Sequence, residues 1–317
     1  MKLNRRQILA SLGFGAALTA TGLPTPVQSS PSAWPAPLRL GDRLIGVAPG
    51  TWVDPDTLQG DRGWQRLYQD WGLDLVIPKQ SLGQWTYFSA SDPDRAALLQ
   101  QAWRDPGADG VVCIAGGWGA ARSLEAGFDP GPTPRWCVGF SDNCALLLAQ
   151  LAAGGRGGIH GWKDERVRQL LMGEAVGPLT GQPLRGGVAE GELVVTNLTV
   201  GTHLIGTPWM PSLDGTILVL EDVGEAPYRI DRMLTQWRTA GLLQNLAGIG
   251  LGHFRWIPED VLPGDLSLAD VLEDRLGDLG IPIVQGLPVG HGRPNKALPL
   301  GRRARLDAEA GTLSLLS

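Results

Sequence analysis

Cysteine and histidine are scarce in this chain of 317 residues, which contains three cysteines and four histidines. An odd number of cysteines does not build a disulfide framework, and two of the three lie inside apolar runs, so we expect buried thiols in the core. Metal-ligand spacings such as Cys-x-x-Cys and His-x-His do not occur, and the histidines are scattered at positions 160, 203, 253 and 291. The sequence therefore predicts neither a zinc site nor another cofactor.

Clusters of positive charge are missing from the body of the sequence. The formal net charge is -5, and no run of lysine and arginine could follow a phosphate backbone, so nucleic acid is not an expected partner. Hydrophobic residues make up 43% of the chain and charged residues 19%, which is the balance of a globular protein with a substantial core. The length is enough for two domains of ordinary size.

The first thirty residues differ from the rest of the chain. Paired arginines, Arg5 and Arg6, precede the uncharged stretch Ile8 to Val27, in which glycines and prolines interrupt the apolar residues. A membrane anchor or a first core helix is the alternative, but the interrupted apolar run is too short for a bilayer span. The segment resembles the twin-arginine export signal. We expect residues 1–30 to be a signal for export to the periplasm or cell envelope, without stable membrane insertion after its removal. A cytoplasmic protein is the alternative.

From about residue 38 to residue 162, short apolar runs alternate with stretches of helical periodicity. Strands are predicted at 42–50, 73–78, 110–115 and 136–140, and helices at 64–71 and 92–103. This alternation predicts an α/β domain of the Rossmann or flavodoxin type, with a parallel sheet and helices on both faces. Ligands bind at the carboxyl ends of the strands in such sheets, where the glycine-rich run 115–119 and Ser141 are expected.

The pattern changes after residue 162. Eight glycines and prolines fall within residues 163–193, and they predict an inter-domain crossover without regular structure. Beyond it, strands are predicted at 216–220 and 247–252, a helix at 228–242, and a hairpin at 306–315 with its turn near Gly311. These elements predict a smaller, mixed α+β domain over residues 194–317.

Ser141 is a candidate nucleophile because of its local context. It follows an apolar strand and Gly139, and it precedes a helical run over 144–151, which is the strand-turn-helix arrangement of a nucleophile elbow. The match is incomplete, since Asn143 stands where the Gly-x-Ser-x-Gly pattern has its second glycine. Asp142 or Asn143 could cap the following helix instead, and a serine that merely begins a helix is the alternative.

Several residues could supply the base and its carboxylate partner. His291 lies between Gly290 and Gly292, which leave the ring accessible as a general base requires. The other three histidines also lie near glycines, so composition does not choose among the four. Glu221 ends a predicted strand, with Asp222, Glu225 and Asp231 close behind, and a hydrated surface turn is the alternative for this acidic cluster.

Six short motifs, taken together and in order, resemble the LD-carboxypeptidase family, a group of serine peptidases that includes the microcin C immunity peptidases. The resemblance runs from about Leu38 to the carboxyl end. The motifs are Gly-Val-Ala-Pro at 46–49, Gly-Gly-Trp-Gly-Ala-Ala-Arg at 116–122, Gly-Phe-Ser-Asp at 139–142, Gly-Thr-Pro-Trp at 206–209, the run 220–232 that begins Leu-Glu-Asp-Val-Gly-Glu, and Gly-His-Gly-Arg-Pro-Asn at 290–295.

The resemblance implies roles for particular residues. Ser141 would be the nucleophile, His291 the base that takes its proton, and Glu221 the carboxylate that orients the imidazole. Backbone N–H groups of Asp142 and of the loop Gly116–Gly117 would bind the oxyanion. One loop departs from the family's pattern, in which it usually begins Arg-Gly-Gly-Tyr.

The departing loop reads Ala115-Gly116-Gly117-Trp118 in this chain. A cation that could meet a substrate carboxylate is therefore missing, and the identity of the substrate's terminal group is open. Trp118 offers a large apolar face that could stack on a ring of the substrate, or it merely packs against the protein.

The resemblance also implies a substrate class. The first hypothesis is a carboxypeptidase that releases the terminal D-alanine from a peptidoglycan-derived tetrapeptide by cutting an L,D-peptide bond. The second is an immunity-type peptidase that cleaves a peptidyl or aminoacyl nucleotide. The third is a wall-peptide-binding module without catalysis. Because the family commonly forms dimers, a homodimer is a further expectation.

Overall fold

The computed structural model describes residues 34–316, apart from 55–57, 59–62, 257–260 and 262. The predicted export signal, residues 1–30, lies outside the described residues. The α-helices are α1 Trp64–Asp70, α2 Asp92–Arg104, α3 Ala120–Glu125, α4 Cys144–Ala152, α5 Glu165–Leu171, α6 Leu198–His203, α7 Pro227–Thr239 and α8 Leu268–Leu276. The strands are β1 Arg43–Val47, β2 Asp74–Val76, β3 Gly110–Cys113, β4 Trp136–Gly139, β5 Gly158–His160, β6 Leu179–Thr180, β7 Gln182–Arg185, β8 Val188–Asn197, β9 Ile217–Val223, β10 Gly248–Arg255, β11 Ile283–Gln285, β12 Leu298–Pro299, β13 Arg303–Asp307 and β14 Thr312–Leu315.

The first sheet has the order β12-β5-β4-β3-β1-β2. Its strands β1 to β5 run parallel, as the alternating pattern predicted, and β12 joins the edge antiparallel to β5. Helices α2, α3 and α4 contribute to the core on one face of this sheet. Helices α1 and α5 contribute to the core on the other face. The predicted α/β architecture of this part is confirmed.

The second sheet has the order β6-β14-β13-β8-β9-β10-β11-β7. Strands β8 to β11 are mutually parallel and the others pair antiparallel, so the sheet is mixed as predicted. The predicted hairpin is formed by β13 and β14, and Gly311 adopts the positive φ of 66° that its turn needs. Helix α7 buries one face, with Ile230, Met233, Leu234 and Trp237 toward the core.

The prediction that residues 163–193 lack regular structure was wrong. This stretch contains α5, β6, β7 and the start of β8. Asp164 caps α5 by accepting the Arg166 N–H at 3.0 Å, whereas β6 and β7 exist because they pair with the distant strands β14 and β11. These pairing partners lie about a hundred residues away or farther along the chain and leave no local signal. The glycines and prolines therefore dominated the sequence pattern.

The three cysteines are all buried and unpaired, which confirms the expected core thiols. No group of three or more metal-binding side chains within the described ranges is arranged to hold a metal ion. None of the helices in the part of the chain that the structure describes is long and apolar enough to cross a membrane.

Candidate active site

Ser141 lies in a sharp turn between β4 and α4. Its φ of 59° falls in the left-handed region, which is uncommon for a residue with a side chain and is typical of a nucleophile elbow. Gly139 makes the turn possible, since a Cβ there would lie 3.0 Å from the Asn143 Cβ. The predicted strand-turn-helix context of Ser141 is therefore present.

The two residues after Ser141 fasten the turn to the neighbouring loop. Asn143 is completely buried, and its Nδ2 donates to the carbonyl oxygens of Ala115 at 2.7 Å and Phe140 at 2.9 Å. Asp142 Oδ2 accepts the Ala120 N–H at 2.8 Å, at the start of α3. The idea that one of these side chains caps α4 was wrong, because neither bonds to the first N–H groups of that helix.

Burial raises the pKa of Asp142 to about 6. The N–H groups of Ala120 and Gly119 and the charge of Arg95 act in the opposite direction but do not outweigh desolvation. The carboxyl group that follows Ser141 in the chain is therefore protonated at a higher pH than an ordinary aspartate.

His291 connects Ser141 to Glu221. Its Nε2 lies 3.1 Å from Ser141 Oγ, and its Nδ1 lies 2.6 Å from Glu221 Oε2. An ionised carboxylate can only accept, so Nδ1 carries the proton and Nε2 is left to accept from the serine hydroxyl. Glu221 is fully buried, whereas 18% of the His291 side chain is exposed. These three side chains have the arrangement of a serine-hydrolase triad.

Glu221 remains ionised although it is buried. Burial alone would raise its pKa, but His160 and His291 outweigh desolvation and lower the pKa to about 2. Oε2 also accepts the His291 backbone N–H at 3.2 Å. Strand β9 continues two residues beyond Glu221, so this side chain projects from within a sheet and not from its end as the sequence suggested.

Gly290 is required by the close approach of the histidine loop to Glu221. Its φ is 100°, and a Cβ there would lie 2.5 Å from both the Cβ and the Oε2 of Glu221. The Gly290 N–H donates to Asn295 Oδ1 at 2.9 Å, and Arg255 Nη1 donates to the His291 carbonyl at 3.1 Å. The loop is therefore anchored on both sides of the imidazole.

The glycine-rich loop after β3 lies directly beside the nucleophile. A Cβ on Gly116 would be 3.3 Å from the Ser141 Cβ and 3.5 Å from its Oγ. Gly117 has a φ of 90°, and a Cβ there would lie 2.1 Å from Thr51 Oγ1. Only glycine fits at position 117. A side chain at position 116 would crowd Ser141, because the backbone of Gly116 passes next to the serine side chain.

The other carboxylates of the acidic cluster have different partners. Asp222 Oδ2 accepts the Thr199 N–H at 2.8 Å and its hydroxyl at 2.9 Å, and burial raises the pKa of Asp222 to about 6. Glu225 lies 3.8 Å from Arg229. Asp231 lies on α7, where its Oδ1 accepts from the Thr235 hydroxyl. Of the cluster, Glu221 is the carboxylate that contacts His291.

The sequence matches the two domain models of one peptidase family. Residues 45–161 match the LD-carboxypeptidase N-terminal domain, and residues 190–306 match the LD-carboxypeptidase C-terminal domain. The chain belongs to the LD-carboxypeptidase family. The resemblance inferred from six motifs is thereby confirmed.

This LD-carboxypeptidase family member aligns with curated relatives over nearly the whole length of those relatives. A Synechocystis sp. protein that is provisionally named a carboxypeptidase is 42% identical in an alignment of 295 positions that covers 89% of this chain and 97% of the relative. The murein tetrapeptide carboxypeptidase of Pseudomonas aeruginosa is 30% identical in an alignment of 295 positions that covers 84% of this chain and 93% of the relative.

Solved structures of the family share the fold. The muramoyltetrapeptide carboxypeptidase of Oxalobacter formigenes is 26% identical and superposes with a TM-score of 0.71 over 86% of this chain and 97% of its own. The microcin C7 self-immunity protein MccF has a TM-score of 0.75 over 90% of this chain and 98% of its own. At 21% identity the second likeness concerns the fold alone.

Trp118, the predicted substrate-stacking residue, is 38% exposed at the end of the glycine-rich loop. Its indole packs edge-on against the His203 ring, with the ring centroids 5.3 Å apart. The backbone N–H of Trp118 donates to Thr51 Oγ1. The exposed face is available to a ligand, and its role in binding stays a prediction.

One residue beside the triad escaped the sequence analysis. His160, which the sequence offered only as one of several possible bases, is completely buried with its Nε2 3.8 Å from Glu221 Oε1. It ends β5, whose short apolar run Gly158-Ile159 could have been recognised as a buried strand. Its contact with a glutamate 61 positions away has no local signature.

Proposed function

We propose that this protein is a serine LD-carboxypeptidase that releases the terminal D-alanine from murein-derived tetrapeptides. The observation that carries the proposal is the continuous series of contacts from Ser141 Oγ through His291 to the buried Glu221. The names of the Pseudomonas and Oxalobacter relatives support the substrate class.

Acylation follows from this geometry. Ser141 Oγ attacks the scissile carbonyl carbon while His291 Nε2 takes the hydroxyl proton, and Glu221 stabilises the imidazolium that forms. The oxyanion receives hydrogen bonds from the Asp142 N–H and from the Gly116–Gly117 loop. His291 Nε2 then gives its proton to the leaving amine, so the released D-alanine lies on the His291 side of the serine.

Deacylation repeats the same steps with water. His291 takes a proton from the water as it attacks the acyl-serine, and returns the proton to Ser141 Oγ when the ester bond breaks. The strained φ of Ser141 keeps the hydroxyl between the imidazole and the glycine-rich loop in both half-reactions.

The proposal is tested with a purified muropeptide tetrapeptide, reading D-alanine and the tripeptide by mass spectrometry. Release is expected, and the diastereomer that ends in L-alanine should remain intact. A fluorophosphonate probe that reacts with activated serines supplies an independent readout. If the probe labels Ser141 and the tetrapeptide is not cut, the substrate is wrong; if Ser141 is not labelled, the serine mechanism is wrong.

A nucleotide-type substrate is the second candidate, because Ala115 replaces the family's arginine and Trp118 exposes an indole at the end of the glycine-rich loop. An aromatic face can stack on a base. Hydrolysis of an aminoacyl nucleotide analogue faster than of the tetrapeptide, lost in Trp118→Ala, would favour this candidate. A wall-peptide-binding module would instead bind the tetrapeptide and leave it and the fluorophosphonate probe unreacted.

We further propose that residues 1–30 direct export through the twin-arginine route, since Arg5 and Arg6 precede an uncharged segment. A fusion of these residues to a folded reporter should reach the cell envelope, and changing both arginines to lysine should retain the reporter in the cytoplasm. Unchanged export of the double variant would point to another route.

The homodimer suggested by the family is checked by light scattering of the mature chain.

A further inference from the structure

His160 lies where the segments that carry the triad meet. It is the last residue of β5, and on one side it pairs in register with Gly139 of β4, two residues before Ser141. On the other side it pairs with Leu298 of β12, which follows the His291 loop. One buried side chain therefore adjoins both chain segments that bring the nucleophile and the base together.

The ring of His160 is buried and packs against the ring of Phe140. Phe140 contacts it edge-on with the centroids 5.2 Å apart, and the same phenyl ring lies 4.4 Å from the His291 ring. Such packing leaves the imidazole of His160 little freedom to turn away, so its nitrogens are held in a fixed direction.

One polar atom of His160, Nε2, lies near the triad carboxylate. The residue has no exposed surface, and neither ring nitrogen has a hydrogen-bond partner within the described residues. Glu221 Oε1 also lacks one, and it lies 3.8 Å from His160 Nε2. A buried polar atom without a partner is unfavourable. Closing their separation by about 1 Å would bring these two atoms to hydrogen-bond distance, and each would then have a partner.

We propose that His160 is a positioning residue whose Nε2–H donates to Glu221 Oε1 and fixes the carboxylate with Oε2 turned toward His291. The proposal rests on the proposed serine mechanism. Glu221 would then be held between two imidazoles, one that shuttles the proton and one that does not. With Oε1 held, the carboxylate cannot rotate away from the Nδ1 and N–H of His291.

Other titratable groups around Glu221 do not replace this contact. Cys144 on α4 faces the carboxylate, and burial raises the pKa of its thiol well above the usual range, so it stays neutral. Asp222 is the next residue on β9 and has the same sign of charge, but it is bonded to Thr199. Asp142 adds a further negative charge in the elbow. The two histidines are therefore the groups that compensate Glu221.

Two substitutions separate positioning from simple packing. His160→Gln places an amide N–H near the position of Nε2 and keeps a donor, whereas His160→Phe keeps an aromatic ring and removes the donor. Trp162→Phe is the matched control, because Trp162 packs on Phe140 at 6.0 Å and reaches the triad through no hydrogen bond. Each variant is first checked for folding by its thermal transition.

The readout is the pH dependence of kcat/KM for the tetrapeptide, with fluorophosphonate labelling of Ser141 in parallel. We expect His160→Phe to lower kcat/KM about 10- to 100-fold, as loss of a partner that orients a ligand side chain does in metal sites. Its acidic limb should move to higher pH, because a Glu221 with one partner fewer stabilises protonated His291 more strongly. His160→Gln should stay within about fivefold of wild type and keep its profile.

Equal losses in both variants with an unmoved profile would overturn the proposal and leave a packing role. Activity of His160→Phe within threefold of wild type would overturn it as well. The rate at which Ser141 is labelled depends on the triad and not on the peptide substrate. If the wild-type protein is labelled but does not cut the tetrapeptide, the substrate assignment fails. The labelling rates of the His160 variants then still test the role of His160.

Discussion

The nucleophile and the base are positioned by different means. Ser141 is placed by its backbone, in a turn with a positive φ that Asp142 and Asn143 fasten to the loop after β3. His291 is placed by a side chain, because its glycine-flanked loop is positioned over the buried Glu221. Substitutions on the serine side should therefore act through the reacting atom or the turn, and substitutions on the histidine side through orientation and charge.

Ser141→Ala should have the largest effect, since it removes the nucleophile and leaves the turn intact. We expect kcat for tetrapeptide cleavage to fall by about 10⁴-fold or more, with an unchanged thermal transition. Activity within tenfold of the wild-type value would contradict the role of Ser141.

Glu221→Gln should rank second. The amide cannot stabilise a positive imidazole and can present the wrong group to Nδ1, so we expect a loss of about 10²- to 10⁴-fold in kcat/KM. Glu225→Gln is the matched control, because Glu225 is a carboxylate of the same cluster whose ion-pair partner is Arg229. It should cost less than about threefold. An inactive Glu225→Gln beside an active Glu221→Gln would mean that the carboxylate had been misassigned.

Gly290→Ala tests whether the histidine loop depends on its close approach to Glu221. A Cβ would lie 2.5 Å from Glu221 at a φ of 100°, so the loop must move, and we expect kcat/KM to fall about 10- to 100-fold. Gly286→Ala is the control, since Gly286 also has a positive φ of 68° but nothing within 4 Å of the added carbon. It should lose about 1 kcal/mol of stability and little activity. Equal activity of the two variants would show that the loop adapts.

Asp142→Asn should have the smallest and most pH-dependent effect. The folded-state pKa of about 6 exceeds the usual 3.8, so the wild type gains stability relative to the variant as pH falls from 7 to 4. The gain should reach at most about 3 kcal/mol, from 1.36 kcal/mol per pKa unit. Urea unfolding at pH 7 and pH 4.5 measures the difference in unfolding free energy between the wild type and the variant. A difference that does not change with pH would refute the raised pKa of Asp142.

The same contrast explains how much the sequence could predict. The elbow is local: an apolar strand, Gly139, Ser141 and a helix follow within sixteen residues, and the pattern was recognisable. The choice of Glu221 and His291 among several candidates required the family resemblance, because the two are 70 positions apart. The contact of His160 with Glu221 and the pairing of β6 and β7 depend on distant strands, and no periodicity in the sequence reports them.

Strand β12 has a consequence for how this protein folds. Leu298 and Pro299 lie far beyond the N-terminal family match at residues 45–161, yet they cover the open edge of its sheet by pairing with β5. Expressed alone, residues 45–161 would leave that edge strand bare, and uncovered edges promote self-association. Because His291 in the C-terminal match also contacts Ser141 in the N-terminal match, the two family domains should fold interdependently and melt in a single cooperative transition.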